Sequence, residues 1–112
     1  MRTMAIKKSC LLLLGISSPV LAATDCPEQF HQLPLAENAS YCHLFDDTLP
    51  ATLSYFSALT PAQTLAFYQN RLSDASTSQS KDRQVLEDKQ GRWVVVISAD
   101  GQGSQVDMLV KE

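Results

Sequence analysis

The chain has 112 residues and a formal net charge of −3, from 9 Lys and Arg against 12 Asp and Glu. This acidic balance argues against nucleic acids and anionic membrane surfaces as partners, because both attract clustered Lys and Arg. The length is sufficient for one domain with a modest hydrophobic core.

The N-terminal segment has the pattern of a secretion signal. Its positive start consists of three cations, Arg2, Lys7 and Lys8. An apolar stretch at 10–16, too short for a permanent membrane helix, is followed by small side chains at 20–22. We expect cleavage after Ala22 or Ala23, which makes residues 1–22 a signal peptide and places the product in the periplasm, with no membrane span.

Cleavage changes both the charge and the cysteine count. The mature chain keeps 6 Lys and Arg against 12 Asp and Glu, a balance of −6. Cys10 leaves with the signal peptide, so only Cys26 and Cys42 remain. An even pair of cysteines in an oxidising compartment predicts a disulfide bond between them.

Three other chemistries are open to Cys26. A lipoprotein signal places the cysteine directly after small residues at the cut, whereas Asp25 precedes it here. A zinc site could use Cys26, His31, Cys42 and His43, but the C-x₂₋₄-C and H-x₃₋₅-H pairs of such sites are missing. Redox catalysis typically uses C-x-x-C. A structural disulfide is therefore favoured, and closing a loop of about 16 residues is worth about 3 kcal/mol in the chain-entropy model.

The mature chain is expected to form a single domain with an N-terminal arm. The arm and a short strand occupy residues 23–50, and an α+β core occupies 51–112. Residues 24–39 lack periodicity and contain two prolines, which predicts irregular structure with a short helical turn at 28–32. The sequence SYCHLF at 40–45 predicts a strand.

The core begins with a strand followed by a clear helix start. Side chains alternate between two faces over 50–59, as expected for a strand. Thr60 can cap the helix, Pro61 suits its first position, and Gln63 completes a capping box. The predicted helix runs to about Leu72, and its apolar stripe contains Ala62, Leu65, Ala66, Tyr68 and Leu72.

The C-terminal part is expected to be a β-meander. Residues 73–83 are polar and predict a mobile loop. Three strands follow, at 84–88, 92–98 and 104–111. The run WVVVI is apolar on both faces, so we expect the helix to cover one face, with the arm as the candidate cover for the other. The predicted fold is α+β, with one amphipathic helix on a three- to five-stranded antiparallel sheet in the order β-α-β-β-β.

This order of elements resembles small exported proteins and lipoproteins of Gram-negative bacteria, in which a Thr/Ser-Pro capped helix ending Phe-Tyr-x-x-x-Leu leads into a β-meander. The matching positions are Thr60, Pro61, Phe67, Tyr68 and Leu72. The resemblance covers residues 51–111. It implies a periplasmic location and this architecture, and it assigns no catalytic residue.

Phe67 is the best pointer to a binding surface. It lies away from the predicted apolar stripe, so it is either exposed to a partner or covered by the arm or a wider core. Together with the tethered arm it defines a candidate contact surface made of Phe67, His31 and Phe30.

The sequence predicts a small non-enzymatic binding or accessory protein that contacts an envelope or secreted protein. We expect no catalytic residues, no metal site and no cofactor. One alternative is a small enzyme that uses His43 with Asp46 and Asp47 as an acid–base cluster. Another is a structural subunit of an envelope assembly.

Overall fold

A computed structural model describes residues 26–112. The expected signal peptide, residues 1–22, lies outside the described residues. The described chain is mostly β, and its elements follow in this order: β1 Gln29–Phe30, β2 Leu33–Pro34, β3 Ser40–Phe45, β4 Ala51–Ser57, α1 Pro61–Arg71, β5 Ser76–Ser80, β6 Arg83–Glu87, β7 Trp93–Asp100 and β8 Gly103–Val110.

Six of these strands form one antiparallel sheet in the order β3-β4-β8-β7-β6-β5. The expectation of one helix with antiparallel strands is confirmed, but the predicted number and order of strands are wrong. Two strands of this sheet precede the helix and four follow it. The long central strands β7 and β8 pair along their whole length, from Trp93 opposite Val110 to Asp100 opposite Gly103.

The additional strand after the helix is β5, which replaces the loop predicted at 73–83. It pairs with β6 from Ser76 opposite Glu87 to Ser80 opposite Arg83. All of its side chains are exposed at the sheet edge, so the sequence carries no alternation of apolar residues there. Backbone pairing rather than apolar burial holds this strand in place.

The N-terminal arm forms a short hairpin instead of the predicted helical turn. β1 pairs with β2, with Phe30 opposite Leu33. The two linking residues, His31 and Gln32, have φ angles of 50° and 74°. Two successive positive φ values are typical of the type I′ turn that joins tightly paired strands.

The helix start is confirmed, and the predicted buried face is correct only in part. The side chain of Thr60 accepts a hydrogen bond from the Gln63 amide, and the Gln63 side chain accepts one from the Thr60 amide. Of the predicted stripe, Tyr68 is buried and Leu65 and Leu72 are partly buried, whereas Ala62 and Ala66 are exposed. The other buried residue of the helix is Thr64, which was not predicted. Thr64 can be buried because its hydroxyl donates to the Thr60 carbonyl, 2.9 Å away.

The helix and the arm lie on the same face of the sheet. Buried side chains from both pack with the inward-facing residues of β4, β6, β7 and β8 in one core, whose apolar members are Phe30, Leu33, Ala36, Cys42, Ala51, Leu53, Tyr55, Tyr68, Leu86, Val95, Ile97, Val106, Met108 and Val110. The expectation that the arm covers the opposite face is wrong. No element among residues 26–112 lies over that opposite face, which we call the open face.

Two tyrosines fasten the arm to the core. The Ala36 amide donates to the Tyr55 hydroxyl at 2.8 Å, and the Tyr68 hydroxyl donates to the Pro34 carbonyl at 2.8 Å. The two hydroxyls are also hydrogen-bonded to each other. Because the single proton of Tyr68 goes to Pro34, Tyr55 must donate to Tyr68. Every group of this buried chain therefore has a partner.

Gly103 lies where strand β8 passes close to the end of β4. A Cβ atom at this position would collide with the Ser57 carbonyl oxygen and would come within 2.7 Å of the Phe56 ring. The ring can rotate, but the carbonyl belongs to a paired strand. Only glycine fits this close approach.

We therefore expect Gly103→Ala to lower the free energy of unfolding by about 1–3 kcal/mol, as overpacking does elsewhere. Urea denaturation measures the effect. The matched control is Gly91→Asn, because Gly91 has a φ of 74° and nothing near its absent side chain, and asparagine tolerates this conformation. If Gly103→Ala is as stable as the parent protein, the close approach does not exist.

Candidate functional site

The three residues predicted to contact a partner lie in different surroundings. Phe30 is buried, with 2 % of its surface exposed. Phe67 is partly buried and packs edge to face on Tyr68, with ring centroids 4.9 Å apart. His31 is exposed, and its Nε2 lies 2.6 Å from Oδ1 of Asp46. These side chains do not share one exposed surface, and their role in partner contact stays a prediction.

The predicted disulfide is confirmed. Cys26 is bonded to Cys42 on β3, with Cα atoms 5.2 Å apart. Cys42 is buried on the side of the arm. The pairing of β3 with β4 is irregular between Ser40 and His43, where Tyr41 has a φ of 55°. The disulfide therefore fixes β3 against the arm and fixes which of its side chains face away from the core.

Exposed large hydrophobic side chains are concentrated at one edge of the sheet. Among residues 26–112 they are Tyr41, Leu44, Phe45 and Leu49, with 75 %, 45 %, 72 % and 49 % of their surfaces exposed. Three belong to β3 and the fourth to the turn after it. β3 is an edge strand that pairs with β4 alone. The opposite edge, β5, exposes only Ser, Thr and Gln.

Three side chains of β3 and one of β4 form what we call the aromatic edge: Tyr41, His43, Phe45 and Phe56. His43 pairs with Ser54, which faces away from the core. Phe45 lies two positions further along the strand and so faces the same way. Tyr41 and Phe56 line the same depression as His43. The aromatic edge therefore runs along the border of the open face.

The depression beside the aromatic edge has a volume of about 320 Å³. We call it the edge depression, and the residues that line it are Tyr41, His43, Ser54, Tyr55, Phe56, Asp100 and Gln105. Its floor is fixed by hydrogen bonds, because Ser54 donates to Oδ1 of Asp107 at 2.6 Å and Gln105 donates to the same oxygen at 3.2 Å.

The use of His43 with Asp46 and Asp47 as an acid–base cluster stays a prediction. Asp46 is hydrogen-bonded to His31, and His43 lies on the open face opposite Ser54. Ser54 directs its proton to Asp107.

Residues 26–112 contain neither a metal-binding cluster nor a membrane-spanning helix. No three or more His, Cys, Asp or Glu residues of this part of the chain lie in an arrangement that could hold a metal ion. Its helix is not long or apolar enough to cross a membrane.

The charges of the described chain are unevenly distributed. Residues 26–70 contain no Lys or Arg. They contain four carboxylates, at Glu28, Glu37, Asp46 and Asp47. The six cations all follow the helix or end it, at Arg71, Lys81, Arg83, Lys89, Arg92 and Lys111. The arm, β3 and β4 are therefore the acidic half of the molecule.

The aromatic edge was missed at the sequence level, although one signal pointed to it. In SYCHLF, Cys42 must face the arm if it pairs with Cys26. Alternation along a strand then places Tyr41, His43 and Phe45 on the opposite face. The sequence does not show that this opposite face stays uncovered.

Comparisons of this chain with protein-family models, with curated proteins and with solved structures found no match.

Proposed function

We propose that this chain is a small exported, non-enzymatic binding protein that acts by contact with another protein of the cell envelope or with a secreted protein. The aromatic edge is its contact surface. The observation that carries the proposal is the confinement of exposed large hydrophobic side chains, within residues 26–112, to positions 41–49.

Surface chemistry supports a role in protein contact. Exposed single hydrophobic residues are common, but a cluster of aromatic rings on one edge is typical of an interaction site. Tyrosine and phenylalanine are enriched in interface centres because their rings bury a large area with few rotatable bonds. The unpaired backbone of β3 also offers hydrogen-bonding groups to an added strand.

Export is part of this proposal and rests on two observations. The N-terminal sequence has the charge and hydropathy pattern of a signal peptide. The Cys26–Cys42 disulfide suits an oxidising compartment such as the periplasm.

Site-specific photocrosslinking in the cell envelope tests the contact surface. p-Benzoylphenylalanine in place of Phe45 should give, on irradiation, an adduct of one discrete mass, because the reactive ring lies on the proposed surface. The matched control carries the same group in place of Ser78, on the opposite edge strand, and should give no such adduct. Mass spectrometry identifies the attached chain.

Two results of this experiment contradict the proposal. One is the absence of an adduct at position 45 in cells that hold the folded, oxidised protein. The other is equal labelling at both edges, which indicates random collision. An adduct of the protein with itself supports the alternative of a structural subunit instead.

A further inference from the structure

The edge depression joins aromatic rings to a carboxylate. It is lined by Tyr41, His43 and Phe56 and by Asp100, the last residue of β7. Asp100 is exposed, as is the Tyr41 ring. Ring faces attract cations, and a carboxylate within the same depression adds a charged acceptor.

The cations of the described chain lie elsewhere. None of the six Lys and Arg residues lines the edge depression. Lys111 lines a second depression on the open face, together with Asp107. The charged or titratable side chains at the edge depression are therefore Tyr41, His43 and Asp100, with Asp107 beside Ser54 on the neighbouring strand.

The composition of the strands around the edge depression also favours a cationic ligand over an anionic one. Residues 26–70 supply two of its strands and contain no Lys or Arg, and their four carboxylates lie in the arm and in the turn after β3. An acidic surface steers cationic partners toward it and repels anionic ones. The chain also makes such a contact internally, because the Arg71 guanidinium carbon lies 4.9 Å from the centre of the Phe67 ring.

We propose that the edge depression receives an arginine side chain presented by a cationic, extended segment of the partner. This inference rests on the proposed function, since it names the chemistry of the partner. Arginine fits better than lysine, because its planar guanidinium stacks on a ring and forms paired hydrogen bonds with a carboxylate. The backbone of the segment lies along the free edge of β3.

Peptide titrations followed by amide NMR spectra test the proposal. The probe is a synthetic peptide with alternating valine and arginine, and its control replaces each arginine with citrulline, which keeps the shape and removes the charge. We expect the arginine peptide to shift the amides of residues 41–45, 56, 100 and 105. Its affinity should fall steeply with added salt, whereas the citrulline peptide should bind at least about tenfold more weakly.

Matched variants locate the contact. Tyr41→Ser and Asp100→Asn should each weaken binding of the arginine peptide by about three- to thirtyfold. Tyr41→Phe keeps the ring and should bind within about twofold of the parent. Asp82→Asn removes an exposed carboxylate from the turn after β5 and should change nothing.

Several outcomes overturn the inference without touching the proposed function. Equal binding of both peptides shows apolar contact alone, and no binding of the arginine peptide at millimolar concentration removes the cation site. If the same amides shift when the concentration of the protein alone is raised, a second copy of this chain occupies the edge depression in place of a different partner. The crosslinking experiment at position 45 is independent of all three, because it requires contact and not charge.

Discussion

Replacing both Cys26 and Cys42 with alanine should lower the free energy of unfolding by about 3 kcal/mol. The bond closes a loop with a sequence separation of 16, and the chain-entropy model gives about 3 kcal/mol for this length. The net stability of a domain this small is about 5–10 kcal/mol. Urea denaturation of the mature protein measures the change.

Reduction provides the control for this prediction. Adding a thiol reductant should move the unfolding curve of the parent protein close to that of the double variant and should leave the variant unchanged. We expect both to remain folded, because Tyr55 and Tyr68 still bind the arm at Ala36 and Pro34. A loss below about 1 kcal/mol would show that the unfolded chain gains little freedom when the loop opens.

Features with local signals were predictable from the sequence. Thr60, Pro61 and Gln63 define the helix start through hydrogen bonds within one turn. The disulfide followed from the count of cysteines that remain after the expected cleavage. The burial of Thr64 on the helix was not predictable, because Thr64 is polar and becomes a core residue only when the Thr60 carbonyl accepts a hydrogen bond from its hydroxyl.

The missed features depend on contacts far apart in the sequence. Strand β5 has no apolar face, so only its pairing with β6 reveals it. The exposure of Tyr41 and Phe45 depends on where the arm packs, and the arm is placed by bonds that reach Tyr55 and Tyr68. The positive φ of Tyr41 has no local sequence signal, because tyrosine rarely adopts that conformation.

Tyr68→Phe should lower the free energy of unfolding by about 2–4 kcal/mol, although it removes only a single oxygen atom. The Pro34 carbonyl then loses its donor, and the Tyr55 hydroxyl loses its acceptor. Each polar group left without a partner away from water costs about 1–3 kcal/mol. Urea denaturation at neutral pH measures the loss.

Two further variants and a control distinguish the effect of breaking the buried hydrogen-bond network from the effect of removing a tyrosine hydroxyl in general. Tyr55→Phe should also destabilise, because it leaves the buried Ala36 amide without an acceptor. The double variant should cost less than the sum of the two, since both act on one hydrogen-bonded chain. Tyr41→Phe is the matched control, and its exposed ring should give a change within about 0.5 kcal/mol.

The same network predicts a specific response to alkaline pH. Burial raises the pKa of Tyr68 well above its usual range, and the neighbouring Tyr55 raises it further. Burial also raises the pKa of Tyr55. In the unfolded chain both hydroxyls ionise near pH 10, so the native state holds more protons above that pH. Their contribution to stability is therefore complete below about pH 10 and is lost as the pH rises further.

The difference in free energy of unfolding between the parent protein and Tyr68→Phe should therefore depend on pH. It should be constant below about pH 9 and should shrink above about pH 10 by up to about 1.4 kcal/mol per pH unit, because the variant has one fewer hydroxyl to ionise on unfolding. Lysine titration affects both proteins alike and cancels in the comparison. A difference that stays constant up to about pH 11 would mean that Tyr68 ionises equally in both states, and would place its hydroxyl in contact with water.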